Sequence, residues 1–462
     1  MDKNIKKEKE IVRHPKENGL SEFYLACRNG DLDMVKQMLP NIAYSELNRL
    51  ESNDSTSLHE ATLSGHKEIV WLLLHERGCQ RHQRNNHGLT AYEVAKTDEM
   101  RQLFHRPSNI NRFCDNLDQD MQLTFEIISL TTNDKASQSH DAKDDADEND
   151  EIMPGGFVQG LQTKEEIQRA LAFAAHCRAC LQSKGMIYIS CFIGKYIYNN
   201  HHDHNKHVKQ KEFYNSFIDK TFRITELQNI IDTEVLFTHP EYEKCNELLS
   251  IYSNSGKCES LLQLYTLETP FYKKLREKQV LPLFSCIALN LPYLKRRYFR
   301  GESYRGVTMT NDDLRSYRWA LKNNDRLIQI KTFASTSTDR EIAESFAQSL
   351  ETSSIENKIS VLMTFRFPQV CDTAINLGKI PKYDLPCLSE YEDESEILIL
   401  PLTFFRVKNI EINNLSNGRQ LLYIIRLENV LFEKASVLHT LPAYMKLCIK
   451  HEYKKQKEKH HI

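Results

Sequence analysis

The feature that most constrains this chain is a repeat close to its N-terminus. Within residues 21–104 the stretch FYLACRNGDLDMVKQML aligns with TSLHEATLSGHKEIVWLLLHERG, and GLTAYEVAKTDEMRQLF begins a third unit. Ala26 and Gly30 stand 35 positions before Ala61 and Gly65, and Ala95 stands 34 after Ala61. A period of this length is the signature of stacked helical hairpins. Ile69, Val70, Leu72, Leu73 and Leu74 are too dense for one exposed helix, so neighbouring repeats have to cover them.

In the second unit Thr56, Leu58, His59, Ala61, Gly65 and His66 follow a pattern that resembles ankyrin repeats. The first and third units are degenerate, as end caps often are. The resemblance implies an all-α solenoid that binds and does no chemistry. Its expected partner is a protein, which the residues do not name.

A chain of 462 residues is too long for one ordinary domain, and 40% hydrophobic content supports real cores. The formal net charge of −2 gives no global field for nucleic acid or membrane, so neither is expected as a partner. No apolar run reaches the ~18 residues of a membrane span. The opening MDKNIKKEKEIVRHPKENG has no apolar core of a signal peptide, and the twelve cysteines lack framework spacing. The expectation is a cytoplasmic protein with reduced thiols.

Residues 1–20 read as a charged tail and 105–131 as a bridging segment. Residues 132–155 read as a disordered linker: DAKDDADENDE holds seven acids and one Lys, with no aromatic and no branched aliphatic, too little apolar surface to offset ordering entropy. Residues 156–440 read as a second globular unit, and 441–462 as a Lys-rich solvated tail.

The second unit starts helical. TKEEIQRALAFAAHCRACLQSKG has a capping box, Thr163 with Glu166, and ends at Gly185. YTLETPFYKKLREK places Thr269 at an N-cap and Pro270 at the first helical position. Strands follow. ISVLMTFRF alternates Ile359, Val361, Met363, Phe365 and Phe367 against Ser360, Leu362, Thr364 and Arg366. ILILPLTFFRV and QLLYIIRL flank the turn signal Asn417-Gly418. Helices first and strands after predict an α+β domain.

Three short stretches of this unit concentrate chemistry. Arg305 sits in YRG. Ser335, Thr336 and Ser337 close FASTST, read as the end of an alternating strand with Ile328, Ile330 and Thr332. Glu394 and Glu396 lie two apart before an apolar run, so an extended chain would point them to one side. Each motif alone is weak.

Together, in this order, they resemble the Arg-Ser-Glu clade of ADP-ribosyltransferases, the arginine-modifying mono-transferases. The resemblance covers about residues 240–430 and is carried by YFRGESYRGVTMT, FASTST, AESFA, Glu-x-Glu before ILILP, and LYTLETPFYKKL. It implies a helical part followed by a split core of two β-sheets. It also implies NAD as a substrate, with no metal, and an activity of the pentosyltransferase type: ADP-ribose passes to a target arginine and nicotinamide leaves.

The implied roles fit the residue types. Cleaving the nicotinamide–ribose bond builds oxocarbenium character, which a carboxylate stabilises. The resemblance gives this to Glu396. Glu394 would face the acceptor and bind or deprotonate a guanidinium, otherwise charged and a poor nucleophile. Arg305 would hold the pyrophosphate or ribose. Ser335 would bond near the nicotinamide ribose and position Glu396. Gly306 would admit backbone to the nicotinamide amide. In the loop after FASTST, Phe346 would stack on nicotinamide, or serve the AESFA helix core, and Arg340 would reach a phosphate. The loop from about Lys382 to Asp393 would present substrate-binding groups. Glu390, Glu392 and Asp393 read as solvated, or as recognising a basic target.

Two rivals share these residues. Water as acceptor gives an NAD glycohydrolase. Loss of activity gives an ankyrin adaptor, against which the intact Arg305, Ser335, Glu394 and Glu396 argue. Cys177 and Cys180 with His201 and His204 suggest zinc only weakly, since the Cys pair falls inside a helical pattern and the His cluster in a loop.

Overall fold

A computed structural model describes residues 16–17, 19–106, 125–129, 215–277, 280–322, 326–348, 358–414 and 421–430. The acidic linker 132–155, the Thr163–Glu166 capping box, the zinc candidates Cys177, Cys180, His201 and His204, the Asn417-Gly418 turn and the tail 441–462 lie outside the described residues. The chain divides into two compact units. One takes in residues 1–107, 228–271 and 379–393, and the other residues 108–227, 272–378 and 394–462.

The first unit opens with a short ladder, β1 (Lys16–Glu17) with β2 (Leu20–Ser21). Helical hairpins follow: α1 (Glu22–Asn29) with α2 (Leu32–Met38), the short α3 (Tyr44–Leu47), then α4 (Ser57–Ser64) with α5 (Lys67–His75), and later α6 (Asp98–Gln102). The repeat residues explain the geometry. Thr56 caps α4 by accepting from the His59 amide, and Gly65 ends it at φ +86°, a left-handed conformation suited to glycine. His59 joins successive units, one ring nitrogen 2.7 Å from Thr56 Oγ1 and the other 3.0 Å from the Leu89 carbonyl. His66 reaches back 3.0 Å to the Arg28 carbonyl. Ile69, Val70, Leu72, Leu73 and Leu74 are all buried, in one core with Phe23, Val35, Leu58, Ala61 and Ala95.

Three later segments complete this unit. Helix α7 (Lys220–Glu234) enters it, and α8 (Tyr242–Ser255) and α9 (Glu259–Thr266) belong to it. Arg77 pairs with Glu243 at 3.0 Å, and Gln80 donates to Glu247 at 2.6 Å. Pro270 begins α10 (Pro270–Glu277), as its fixed φ favours, although the Thr269 hydroxyl makes no capping bond. Helix α11 (Val280–Ala288) and a 3-10 turn (Leu291–Arg297) lead into the second unit's strands.

Those strands are β3 (Phe125–Ser129), β4 (Tyr298–Thr310), β5 (Arg326–Ile330), β6 (Ala334–Ser337), β7 (Lys358–Asn376), β8 (Glu396–Ile399), β9 (Phe404–Asn414) and β10 (Leu421–Asn429). Hydrogen bonding links them in the order β3-β5-β9-β10-β7-β4-β6-β8, with β7 also pairing β8. The long β7 is central. Its first part lies between β10, in parallel, and β4, antiparallel, while Ala374–Asn376 pair with β8.

The alternation expected of ISVLMTFRF holds. Val361, Met363, Phe365 and Phe367 are buried in one core with Val307, Met309, Tyr317 and Trp319, with Ile359 packed against it. Leu362 faces a second cluster with Ala343 and Ala347. Helix α12 (Asn311–Lys322) carries Tyr317 and Trp319 to the first face, and α13 (Arg340–Gln348) carries the two alanines to the second. Thr310 and Asp313 cap α12 reciprocally, with Asp313 Oδ2 accepting from the Thr310 amide at 2.9 Å and Thr310 Oγ1 from the Asp313 amide at 3.1 Å.

Two expected strands are each broken. KTFASTST is not one strand: β5 pairs with β3 and β9, whereas β6 pairs with β8 and β4. ILILPLTFFRV divides at Pro401 and at Leu402, where φ is +65°. Proline has no amide to donate, so the ladder stops there.

Candidate active site

The site is built from β4, β6 and β8 of the second unit. In the β6–β8 ladder Ser335 stands opposite Leu398, Thr336 opposite Ile397 and Ser337 opposite Glu396. Residues facing each other across an antiparallel ladder share a face. Ala334, Ile397 and Ile399 therefore point to the core, and each is fully buried there. The opposite face carries Ser335, Ser337, Glu396 and Leu398. Three polar groups stand together on that face because the alternation of two short strands leaves them no other side.

Arg305 joins them from β4. It is buried, and its Nη1 donates to the Ser335 carbonyl oxygen at 2.9 Å. A guanidinium taken out of water needs such partners to offset its desolvation. Tyr317 of α12 is close by: burial and then Asp313 raise its phenol well above the ordinary value, and Arg305 works in the opposite direction.

Glu394 is also buried, at 2% exposure, and Glu396 is completely so. The two are not related by a simple extended strand. Glu394 ends a 3-10 turn, Glu392–Glu394, Ser395 has φ +47°, and only from Glu396 is the chain a strand. The expected same-side placement by alternation therefore does not hold. A left-handed serine is sparsely populated and persists where its surroundings hold it. Here they do. Ser337 Oγ donates to the Glu394 carbonyl at 2.7 Å, the Thr338 amide donates to the Ser395 carbonyl at 3.1 Å, and the Leu377 amide donates to the Glu396 carbonyl at 2.9 Å.

Gly306 has a structural duty beyond the one expected. A Cβ there would stand 2.0 Å from the Ala343 carbonyl oxygen and 2.6 Å from the Ala347 amide nitrogen. The backbone that approaches this glycine is that of α13. Phe346 and Arg340 belong to this helix rather than to a loop. Phe346 is half-buried, and Arg340 opens the helix with its Nε 2.7 Å from Glu344 Oε1, an exposed pair one turn apart.

The structure thus joins Arg305 to Ser335 by a direct bond, and Glu394 and Glu396 to the end of FASTST through Ser337. It puts Gly306, Arg340 and Phe346 on or against α13. Sequence reasoning named Ser337 without giving it a role and did not single out Tyr317. The first was legible as the residue two beyond Ser335, on the same face of the strand. Tyr317 carried only the signal of an aromatic one helical face from the capping box.

A family model described as ankyrin repeats, in three copies, matches residues 3–95, and the N-terminus of this chain carries ankyrin repeats. Among curated proteins the chain is similar to the NAD-capped RNA hydrolase NUDT12 of Macaca fascicularis and of Pongo abelii, each 34% identical over 85 residues. That match covers 18% of this chain and 18% of the relatives' length. Among solved structures it is similar to Vis toxin, an ADP-ribosyltransferase from Vibrio splendidus, at 19% identity and a TM-score of 0.22, over 46% of this chain and 87% of that one. It is also similar to the type III effector XopAI from Xanthomonas axonopodis pv. citri, at 17% identity and a TM-score of 0.31, over 50% of this chain and 95% of that one. Structural neighbours of the chain therefore include ADP-ribosyltransferases. Among the described residues no helix is long and apolar enough to cross a membrane.

Proposed function

We propose that this protein transfers ADP-ribose from NAD to arginine side chains of target proteins and releases nicotinamide. The observation that carries the reading is that Arg305, Ser335 and Glu396, drawn from three separated motifs, meet through the Arg305–Ser335 bond and the β6–β8 ladder. The split core belongs to the same reading. β6, β8 and the end of β7 form one group of strands, and a single residue pair, Tyr304 with Ser337, joins β6 to β4 of the other.

In this reading Glu396 stabilises the positive charge that grows on the ribose as its bond to nicotinamide breaks. Nicotinamide leaves with the electron pair of that bond. A guanidinium nitrogen of the acceptor attacks the ribose carbon, and Glu394 takes the proton the nitrogen loses. Arg305 binds the pyrophosphate or ribose, Ser335 orients the ribose and Glu396, and Phe346 and Arg340 meet nicotinamide and phosphate. The ankyrin repeats select the target. The charge removed by Glu394→Gln separates this reading from an NAD glycohydrolase: transfer to agmatine, a free guanidinium, should vanish while nicotinamide release to water persists. If both activities fall together, Glu394 does not serve the acceptor.

A further inference from the structure

Within the second unit, Arg305 is held from more than one side. The alternation of β4 puts Ser303, Arg305, Val307 and Met309 on one face, and all four are buried. Val307 and Met309 lie in the core that Tyr317 and Trp319 of α12 complete. The Arg305 side chain therefore enters on the side of the sheet that α12 covers. That helix brings two polar groups. Asp313 and Tyr317 stand four positions apart, about one helical turn, and so share a face. Arg305 is 6% exposed, Asp313 7% and Tyr317 not at all. Burial raises the Tyr317 phenol, Asp313 raises it further and Arg305 opposes them, so the three groups lie within electrostatic reach of one another.

The Ser335 carbonyl satisfies a donor of Arg305 but does not neutralise its charge, whereas a carboxylate on the facing helix does. Asp313 is itself fixed. Its Oδ2 accepts from the Thr310 amide at 2.9 Å and from the Thr310 hydroxyl at 2.8 Å, which ties it to the last residue of β4. Tyr317, one turn farther along, adds a rigid ring with a polar tip. We infer that Tyr317, backed by Asp313, is a positioning residue for Arg305, through which α12 holds the guanidinium against β6 with its fork in one orientation. This rests on the NAD-binding role proposed for Arg305. A guanidinium that meets phosphate oxygens through two parallel bonds gains from a fixed plane, so the buried tyrosine serves NAD affinity without touching NAD.

The test uses the full chain carrying Tyr317→Phe, Asp313→Asn or Arg305→Lys, with Trp319→Phe as a core control on the same helix. NAD binding at equilibrium, kcat and KM, thermal melts, and the rate at which phenylglyoxal modifies Arg305, mapped by mass spectrometry, are followed together. Tyr317→Phe removes only the hydroxyl. It should raise Kd and KM for NAD about tenfold, leave kcat within about twofold, and speed Arg305 modification severalfold, with the melt close to wild type. Trp319→Phe should lower the melting temperature and change neither NAD affinity nor Arg305 modification. Arg305→Lys loses the fork, so adding Tyr317→Phe to it should weaken NAD binding little further. Asp313→Asn should shift NAD affinity in the same direction, and where its melt shows an unfolded chain Tyr317→Phe decides alone. Unchanged NAD affinity and Arg305 modification in Tyr317→Phe would overturn the inference. So would full additivity with Arg305→Lys, or a loss of kcat at constant KM. If the wild-type protein binds no NAD, the proposed function fails, and Arg305 modification in Tyr317→Phe against Trp319→Phe still decides whether Tyr317 holds Arg305.

Discussion

Ser337 stands opposite Glu396 in the β6–β8 ladder, and its hydroxyl donates to the carbonyl of Glu394 at 2.7 Å, so one side chain braces the turn that separates the two candidate carboxylates. It also accepts from the Asp339 amide at 2.9 Å, which ties the same oxygen to the approach to α13. Ser337→Ala should cost ~1–2 kcal/mol of stability, the range for a buried hydrogen bond whose partner is left behind. Transfer to agmatine should fall by about tenfold while the sheet survives, because the left-handed Ser395 loses part of what holds it. Parallel thermal melts and transfer assays check this.

Gly306→Ala tests the packing of α13 on β4. The added methyl would meet the Ala343 carbonyl at 2.0 Å, and backbone cannot rotate away as a side chain can. The helix has to move, and overpacking of this kind costs ~1–3 kcal/mol or more. The melting temperature should drop by several degrees, and NAD turnover should fall with it. A variant as stable as wild type would show that the helix sits farther from the strand than the structure has it.

Acid should loosen the repeat-containing unit in two steps. Burial lowers the His59 pKa, and burial with Arg81 lowers that of His75, so both favour the neutral ring. A depressed folded pKa means the unfolded chain binds more protons, so their contribution is complete above the usual histidine range and shrinks as pH falls through it. Glu390 follows at lower pH. Burial opposes its charge, but Lys244, His82 and Arg81 outweigh this and hold its carboxyl well below the ordinary range. Its contribution is present above the usual glutamate value and lost as pH falls below it. Glu392 and Asp393 act in the other direction, since burial raises both. Denaturant melts of wild type and Glu390→Gln should differ most near neutrality, and the difference should shrink progressively as pH falls below the usual glutamate value toward the depressed folded one. A constant difference would place the stabilising charge elsewhere.

The repeats were legible because period and motif are local. Ala26, Gly30, Ala61 and Gly65 fix the hairpins, and Thr56 and His59 make the bonds their positions promise. The alternation from Ile359 to Phe367 was legible for the same reason. What was not legible depends on long-range contact. Nothing near Glu390 in the chain announces Arg81, 309 positions earlier, or Lys244, so a buried carboxylate reads as a solvated one. Gly306 reads as an opening for a ligand because the helix that fills the space begins 34 residues later, at Arg340. Ser395 shows the limit of pattern reasoning at a site. Two glutamates in a Glu-x-Glu spacing suggest alternation, and a single positive φ between them cancels it.

The most direct test of the central claim is turnover of NAD labelled on its adenylate side, with agmatine as acceptor, by wild type and by Glu396→Ala. Nicotinamide release and label transfer are followed separately. The account predicts label on agmatine with the wild-type protein, and a loss of about a thousandfold or more in Glu396→Ala, in keeping with removal of a group that stabilises transition-state charge. Turnover that Glu396→Ala leaves intact, or NAD bound and never cleaved by the wild-type protein, would contradict it.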